Sequence, residues 1–183
     1  MRRIITAFVL LVSFSPAFAQ YHGHHQSQAQ NLGAQPTPYA GFQSRTIKAL
    51  SEQEIADLRA GRGMGLAMAA EMNSHPGPMH VLEHAERLQL TATQRQTMET
   101  LMQRMRRDAI AAGELLITAE AELDKLFATG GIDDTRLTAQ IRTVAHAQGE
   151  VRRIHLSTHI ATRAGLTTEQ IALYGKLRGY TTN

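Results

Sequence analysis

From residue 91 to residue 164 apolar side chains recur in steps of three and four. Met98, Leu101, Met105, Ala109, Ala112, Leu116, Ala119, Leu123 and Leu126 make one run, and a 3.6-residue period sets them on a single face, where a strand would alternate. A second run, Leu137, Ile141, Val144, Ala147, Val151, Ile154, Thr158 and Ala161, repeats the pattern and weakens toward its end as small and polar residues enter. Two long amphipathic helices follow. Between them, Thr129-Gly130-Gly131 offers a residue able to take the left-handed conformation that closes a helix. Asp133 is placed to cap the second helix, Asp134 suits its positive end, and Ile132 can staple onto Leu137. Facing stripes make a hairpin with arms of about 45 to 50 Å at roughly 1.5 Å per residue. So long a hairpin leaves faces uncovered, for flanking helices and a second copy of the chain to bury. The fold class is all-α, a long antiparallel helical hairpin with short flanking helices, expected as a homodimer.

Upstream, Ser51 with Glu54 three residues on forms a capping box, and Leu50 can staple onto Ile55. This short helix is expected to fail near Gly61-Arg62-Gly63. Met64, Met68 and Met72, at i, i+4 and i+8, form a stripe assigned to a second short helix ending near Asn73. Pro76-Gly77-Pro78 breaks the chain, and Pro78 suits the first turn of a helix running to about Leu88. Residues 20–48 are rich in Gln, Gly, Ser, Pro and His and cannot bury enough surface to fold alone, so they read as a disordered tail. Residues 1–19 have the three parts of a secretory signal: Arg2-Arg3, an apolar run from Ile4 to Phe14, and Ala17-Phe18-Ala19 before Gln20, with cleavage expected after Ala19. The run falls short of the ~20 residues that a spanning helix needs. The organisation is thus a signal (1–19), a tail (20–48), short helices (49–75) and the main helical domain (76–183).

Composition narrows the chemistry. The chain has 183 residues, no cysteine and a formal charge of +3; loss of a signal carrying Arg2, Arg3 and no acid takes the charge from +3 to +1. Thiol redox chemistry, disulfides and thiolate metal sites are excluded. Arg104, Arg106, Arg107, Arg152 and Arg153 are the only basic clustering, on helix faces where acids are interspersed, so nucleic acid is not an expected partner. His80-Val81-Leu82-Glu83-His84 spells H-x-x-E-H, in which two histidines hold zinc and the glutamate acts as general base. Five residues on an amphipathic helix match by chance, however, and about 100 residues of hairpin do not build a hydrolase cleft. Glu150, the tempting third ligand, belongs to an ordinary helix, so the expectation is no enzyme and no catalytic residue.

The most specific signal is a repeated one. Leu90-Thr91-Ala92-Thr93-Gln94 precedes the first long helix and Leu166-Thr167-Thr168-Glu169-Gln170 precedes a last short one. Each is a capping box, Thr accepting from the N3 backbone and Gln reaching back to the cap, with Leu as the staple residue. Two copies flanking a helical hairpin, from about residue 78 to 180, resemble the Spy/CpxP family of periplasmic proteins, which holds refolding chaperones and ZraP- and CnrX-like heavy-metal sensors. The resemblance implies a periplasmic, all-helical, curved antiparallel homodimer without enzymatic activity. In the sensor branch, ligands come from a His-x-x-x-His before the first motif and a His-x-x-x-Met before the second. His80 and His84 stand at the first place; at the second, His155 and His159 carry His where Met is the rule.

Two further patterns bear on ligands. All seven methionines after Met1 fall between Met64 and Met105. They suit plastic core packing, an adaptable surface for varied apolar partners, or soft-metal binding. With the turn at Gly130 and Gly131, residues whose numbers sum to about 261 face each other. His159 then opposes Met102, and His155 opposes Met105 and Arg106, while His80 and His84 rejoin the same end of the hairpin, so that four imidazoles and Met98, Met102 and Met105 are expected to gather in one region. Cu(I), or Zn(II) where imidazoles dominate, is the metal such a set would take. Separately, an N-terminus Gln20-Tyr21-His22 could close a square-planar site for Cu(II) or Ni(II), with His24 and His25 adding to capture. The expectation is a chaperone for unfolded envelope proteins. The alternative is a Cu, Ni or Zn sensor or resistance protein, with a membrane sensor protein as its partner.

Overall fold

Side-chain caps decide where the helices begin. In the computed structural model, residues 37–180 are described; the signal, His22, His24, His25 and most of the tail lie outside them. The helices are α1 (Glu52–Arg59), α2 (Met68–Glu71), α3 (Pro78–Glu83), α4 (Ala92–Ala128), α5 (Asp134–Ala164) and α6 (Thr168–Leu177), with no strand among the described residues. Complete capping boxes open α1 at Ser51 and Glu54, α4 at Thr91 and Gln94, and α6 at Thr167 and Gln170. Asp133 caps α5 by accepting from the Arg136 N–H at 2.8 Å. Gly130, at φ 65°, takes the left-handed turn that ends α4, a conformation open to glycine at no steric cost.

α4 and α5 pack as the expected antiparallel hairpin. Gln140 donates to the Ala119 carbonyl at 2.7 Å, which agrees with the predicted register to within about two positions. The main core runs along their seam, with Ala109, Ala112, Leu116 and Ala119 against Val144, Ala147, Val151 and Ile154, and α1 closes it with Ile55 and Leu58. Gly113 is buried here because α1 crosses at that point. A β-carbon on Gly113 would stand 2.7 Å from the Leu58 carbonyl oxygen, so only glycine lets the two backbones approach. Each fully buried Val, Leu or Ile contributes about 1.5 to 3 kcal/mol of transfer free energy. A second, smaller core lies at the open end of the hairpin. It joins Val81 and Leu88 to Met98 and Tyr174, with Leu90 and Leu166 packed against them.

The structure departs from the sequence pattern in four places. Ile141 is 47 % exposed, so the second stripe is not buried along its whole length. The Met64–Met72 stripe is not one helix: Met64 has φ 44°, and only Met68–Glu71 is helical. α3 stops at Glu83 rather than near Leu88, since the chain must swing round to enter α4. The Leu90 N–H bonds the Ala85 carbonyl across that turn, and Gln89 takes φ 50°. The stretch expected as tail up to residue 48 docks earlier: Ile47 is buried in the main core and Lys48 pairs with Asp124 at 3.3 Å.

Candidate functional site

The two L-T-x-x-Q segments meet at the open end of the hairpin. Within each box the glutamine Oε1 accepts from its own cap, from the Thr91 N–H at 3.1 Å and the Thr167 N–H at 2.9 Å. The two side-chain amides also pair with each other. Gln94 Nε2 donates to Gln170 Oε1 at 2.8 Å and Gln170 Nε2 donates to Gln94 Oε1 at 3.1 Å. The remaining amide hydrogens go to the Gly165 carbonyl at 3.0 Å and the Leu88 carbonyl at 3.1 Å. Each glutamine therefore satisfies two donors and two acceptor sites in one partly buried pair, and the pair ties together the starts of α4 and α6, the end of α5 and the turn after α3. Below it, Leu90 and Leu166 pack on the smaller core. The motif is an architectural clamp, and no ligand is needed to explain its residues.

On another side of the same end, α2, α3, α4 and α5 enclose an open groove of about 850 Å³. Met64, Met68, Met72, Met79, Met102 and Met105 line it, with His80, His155, His159, Arg62 and Arg106. One carboxylate holds its wall together. Glu71, its side chain 11 % exposed, accepts from the Tyr174 hydroxyl, from the Tyr180 hydroxyl at 3.1 Å and from the Gly77 N–H at 3.2 Å. His159 Nδ1 lies 3.6 Å, His80 Nδ1 4.0 Å and Arg178 Nε 3.8 Å from the same carboxylate. Burial, and then the Glu71 carboxylate, push the Tyr174 hydroxyl far above its ordinary range, so it stays protonated and donates.

The histidines differ in their bonding. His159 Nδ1 donates to the His75 carbonyl at 2.7 Å, which fixes its ring against Gly77. His155 is 2 % exposed and its Nε2 has no hydrogen-bond partner. Burial first, and the nearby His159 second, hold its pKa below the ordinary imidazole range, so it is neutral at pH 7.

The expected gathering is thus partial. His80, His155, His159, Met102 and Met105 do reach one groove, whereas Met98 is shut inside the smaller core and His84 lies elsewhere, its ring edge-on to Tyr174 with centroids 6.5 Å apart. Among the described residues no group of three or more His, Asp or Glu side chains is arranged to hold a metal ion, and Glu150 is taken up by Arg153 at 2.6 Å. Of the five clustered arginines, Arg106 lines the groove, while Arg104 and Arg153 pair with Asp108 and Glu150. Sequence reasoning missed Glu71, Tyr174, Tyr180 and Arg178. Its only signal was an acid inside a methionine stripe, and no periodicity links Glu71 to a tyrosine in α6.

Fold and junction together define an all-helical hairpin protein whose two capping-box glutamines lock its open end. Residues 77–178 match the model of the LTXXQ motif family, and the chain belongs to that family, the Spy/CpxP-like periplasmic proteins. Comparison with curated proteins and with solved structures gives no match. Among the described residues no helix is long and apolar enough to cross a membrane.

Proposed function

We propose that the protein is an exported, non-enzymatic chaperone of the periplasm that holds unfolded envelope proteins, acting as a homodimer. The observation that carries this reading is the open methionine groove. Unbranched thioethers repack against varied apolar side chains, and a contiguous exposed apolar surface of this kind marks an interaction site. Arg106 at its edge favours clients with acidic flanks. Binding of this sort is broad and weak, because nothing in the groove selects a particular side chain. The test is aggregation of two unrelated unfolding proteins with the metal-free mature chain in stoichiometric excess. Suppression of both is expected, and its loss in a Met68→Asp, Met79→Asp variant that keeps its helicity. Unchanged aggregation with the unaltered protein refutes the reading.

A second reading, a heavy-metal-binding sensor, is supported by the unpartnered Nε2 of His155 beside His159 and the groove methionines. It requires the side chains to rearrange around the ion, since they do not converge as they stand. Titration with Cu(I) and Zn(II), comparing the protein with a His155→Ala, His159→Ala variant, separates the two: a stoichiometric site lost in the variant supports the sensor, and identical titrations remove it.

A further inference from the structure

The groove concentrates one kind of reactive atom at the surface. Met64, Met68, Met72 and Met79 are 42, 62, 52 and 51 % exposed and all line the same cleft. Met98, by contrast, is 0 % exposed, shut inside the smaller core with its methyl group against Gly165. The chain has no cysteine, so no thiolate is present to intercept an oxidant first. The thioethers of the groove are therefore its most accessible soft nucleophiles.

We propose that these four methionines form a sulfoxidation site that switches the groove from apolar to polar. This rests on the groove being the binding surface, as in the chaperone reading. The oxidant is a two-electron oxygen donor of the peroxide or hypohalous acid class. With hydrogen peroxide, the sulfur lone pair attacks one oxygen, the O–O bond breaks and an S–O bond forms. The departing hydroxide takes the proton left on the transferred oxygen and leaves as water, so the sulfur loses two electrons and the peroxide gains them. A flexible apolar side chain becomes a polar one carrying a strong acceptor. Four such changes along one cleft remove its capacity to bury apolar groups, because every sulfoxide covered by a ligand must be stripped of water. The fold survives, since none of the four belongs to either core and the buried Met98 is shielded. The switch thus acts on binding without acting on stability.

The experiment treats the full mature chain briefly with hydrogen peroxide and reads three things on the same samples: oxidation of each methionine by peptide mass spectrometry, helicity, and affinity for the uncharged apolar dye Nile red. Met64, Met68, Met72 and Met79 are expected to oxidise well ahead of Met98, with helicity unchanged and dye affinity lowered by about tenfold or more. A Met64→Leu, Met68→Leu, Met72→Leu, Met79→Leu variant is expected to bind dye before and after peroxide alike. The proposal is overturned if Met98 oxidises as fast as the four, if the untreated protein binds no dye, if the sulfoxidised protein binds it as tightly as before, or if the leucine variant loses dye on treatment to the same extent. An aggregation assay run in parallel keeps the two ideas apart. Failure of the untreated protein there removes the chaperone reading, whereas dye and peptide results decide the sulfoxidation site by themselves.

Discussion

Replacing Gln94 with alanine should open the clamp at the end of the hairpin. The side chain makes four hydrogen bonds of 2.8 to 3.1 Å, to the Thr91 N–H, the Gly165 carbonyl and, twice, the Gln170 amide. Each net bond is worth about 1 kcal/mol, and water can reach part of this site, so the expected loss is about 2 to 4 kcal/mol. At an m-value of about 2 kcal/mol per M, a loss of 3 kcal/mol lowers the urea midpoint by about 1.5 M with m unchanged. Gln170→Ala breaks the same reciprocal pair and should cost a similar amount. Because the two shared bonds can be lost only once, the double variant should fall short of additivity by about 1 to 2 kcal/mol. Gln94→Glu is a sharper control. It keeps the volume and an acceptor for Thr91, but a carboxylate cannot donate to the Gly165 carbonyl, so it should be no more stable than the alanine variant at neutral pH. Single losses below about 0.5 kcal/mol, or strict additivity, would refute the reasoning, since contacts that independent show no coupling.

Two other perturbations test the packing and the buried imidazole. Gly113→Ala places a β-carbon 2.7 Å from the Leu58 carbonyl oxygen; despite the better helix propensity of alanine, overpacking should destabilise the protein by about 1 to 3 kcal/mol, and a thermal melt at or above the parent's would show that α1 does not sit on α4. The pKa of His155 is lowered in the fold by burial and by His159, so the unfolded chain binds its proton more readily. Its contribution to stability is therefore complete above the unfolded value of about 6.5 and is lost as pH falls below it. His155→Met also removes an unpartnered buried nitrogen, so urea unfolding should show the variant gaining on the parent between pH 8 and pH 5; a constant difference across that range would refute the assignment.

Much of this protein was legible in the sequence, because local signals carry their own geometry. Stripes at i, i+3 and i+4 announce α4 and α5 wherever they pack. Ser51, Thr91, Asp133 and Thr167 cap their helices through bonds that span three residues, and Gly130 closes the turn through its own backbone freedom. The turn position also set the register, and so brought His155, His159, Met102 and Met105 to one groove. What only the tertiary structure decided depends on partners distant in the chain. The mutual pairing of Gln94 and Gln170 could not be read from either motif, each of which is complete as a capping box. Nor could the burial of Gly113, which records where α1 crosses, the exposure of Ile141 within an apolar stripe, or the departure of His84 toward Tyr174. Glu71 gathers groups from α3, α5 and α6 only once those helices are docked. Hydrogen bonds within a turn are determined by neighbours along the chain, whereas the occupancy of a helix face is determined by whatever the fold lays upon it.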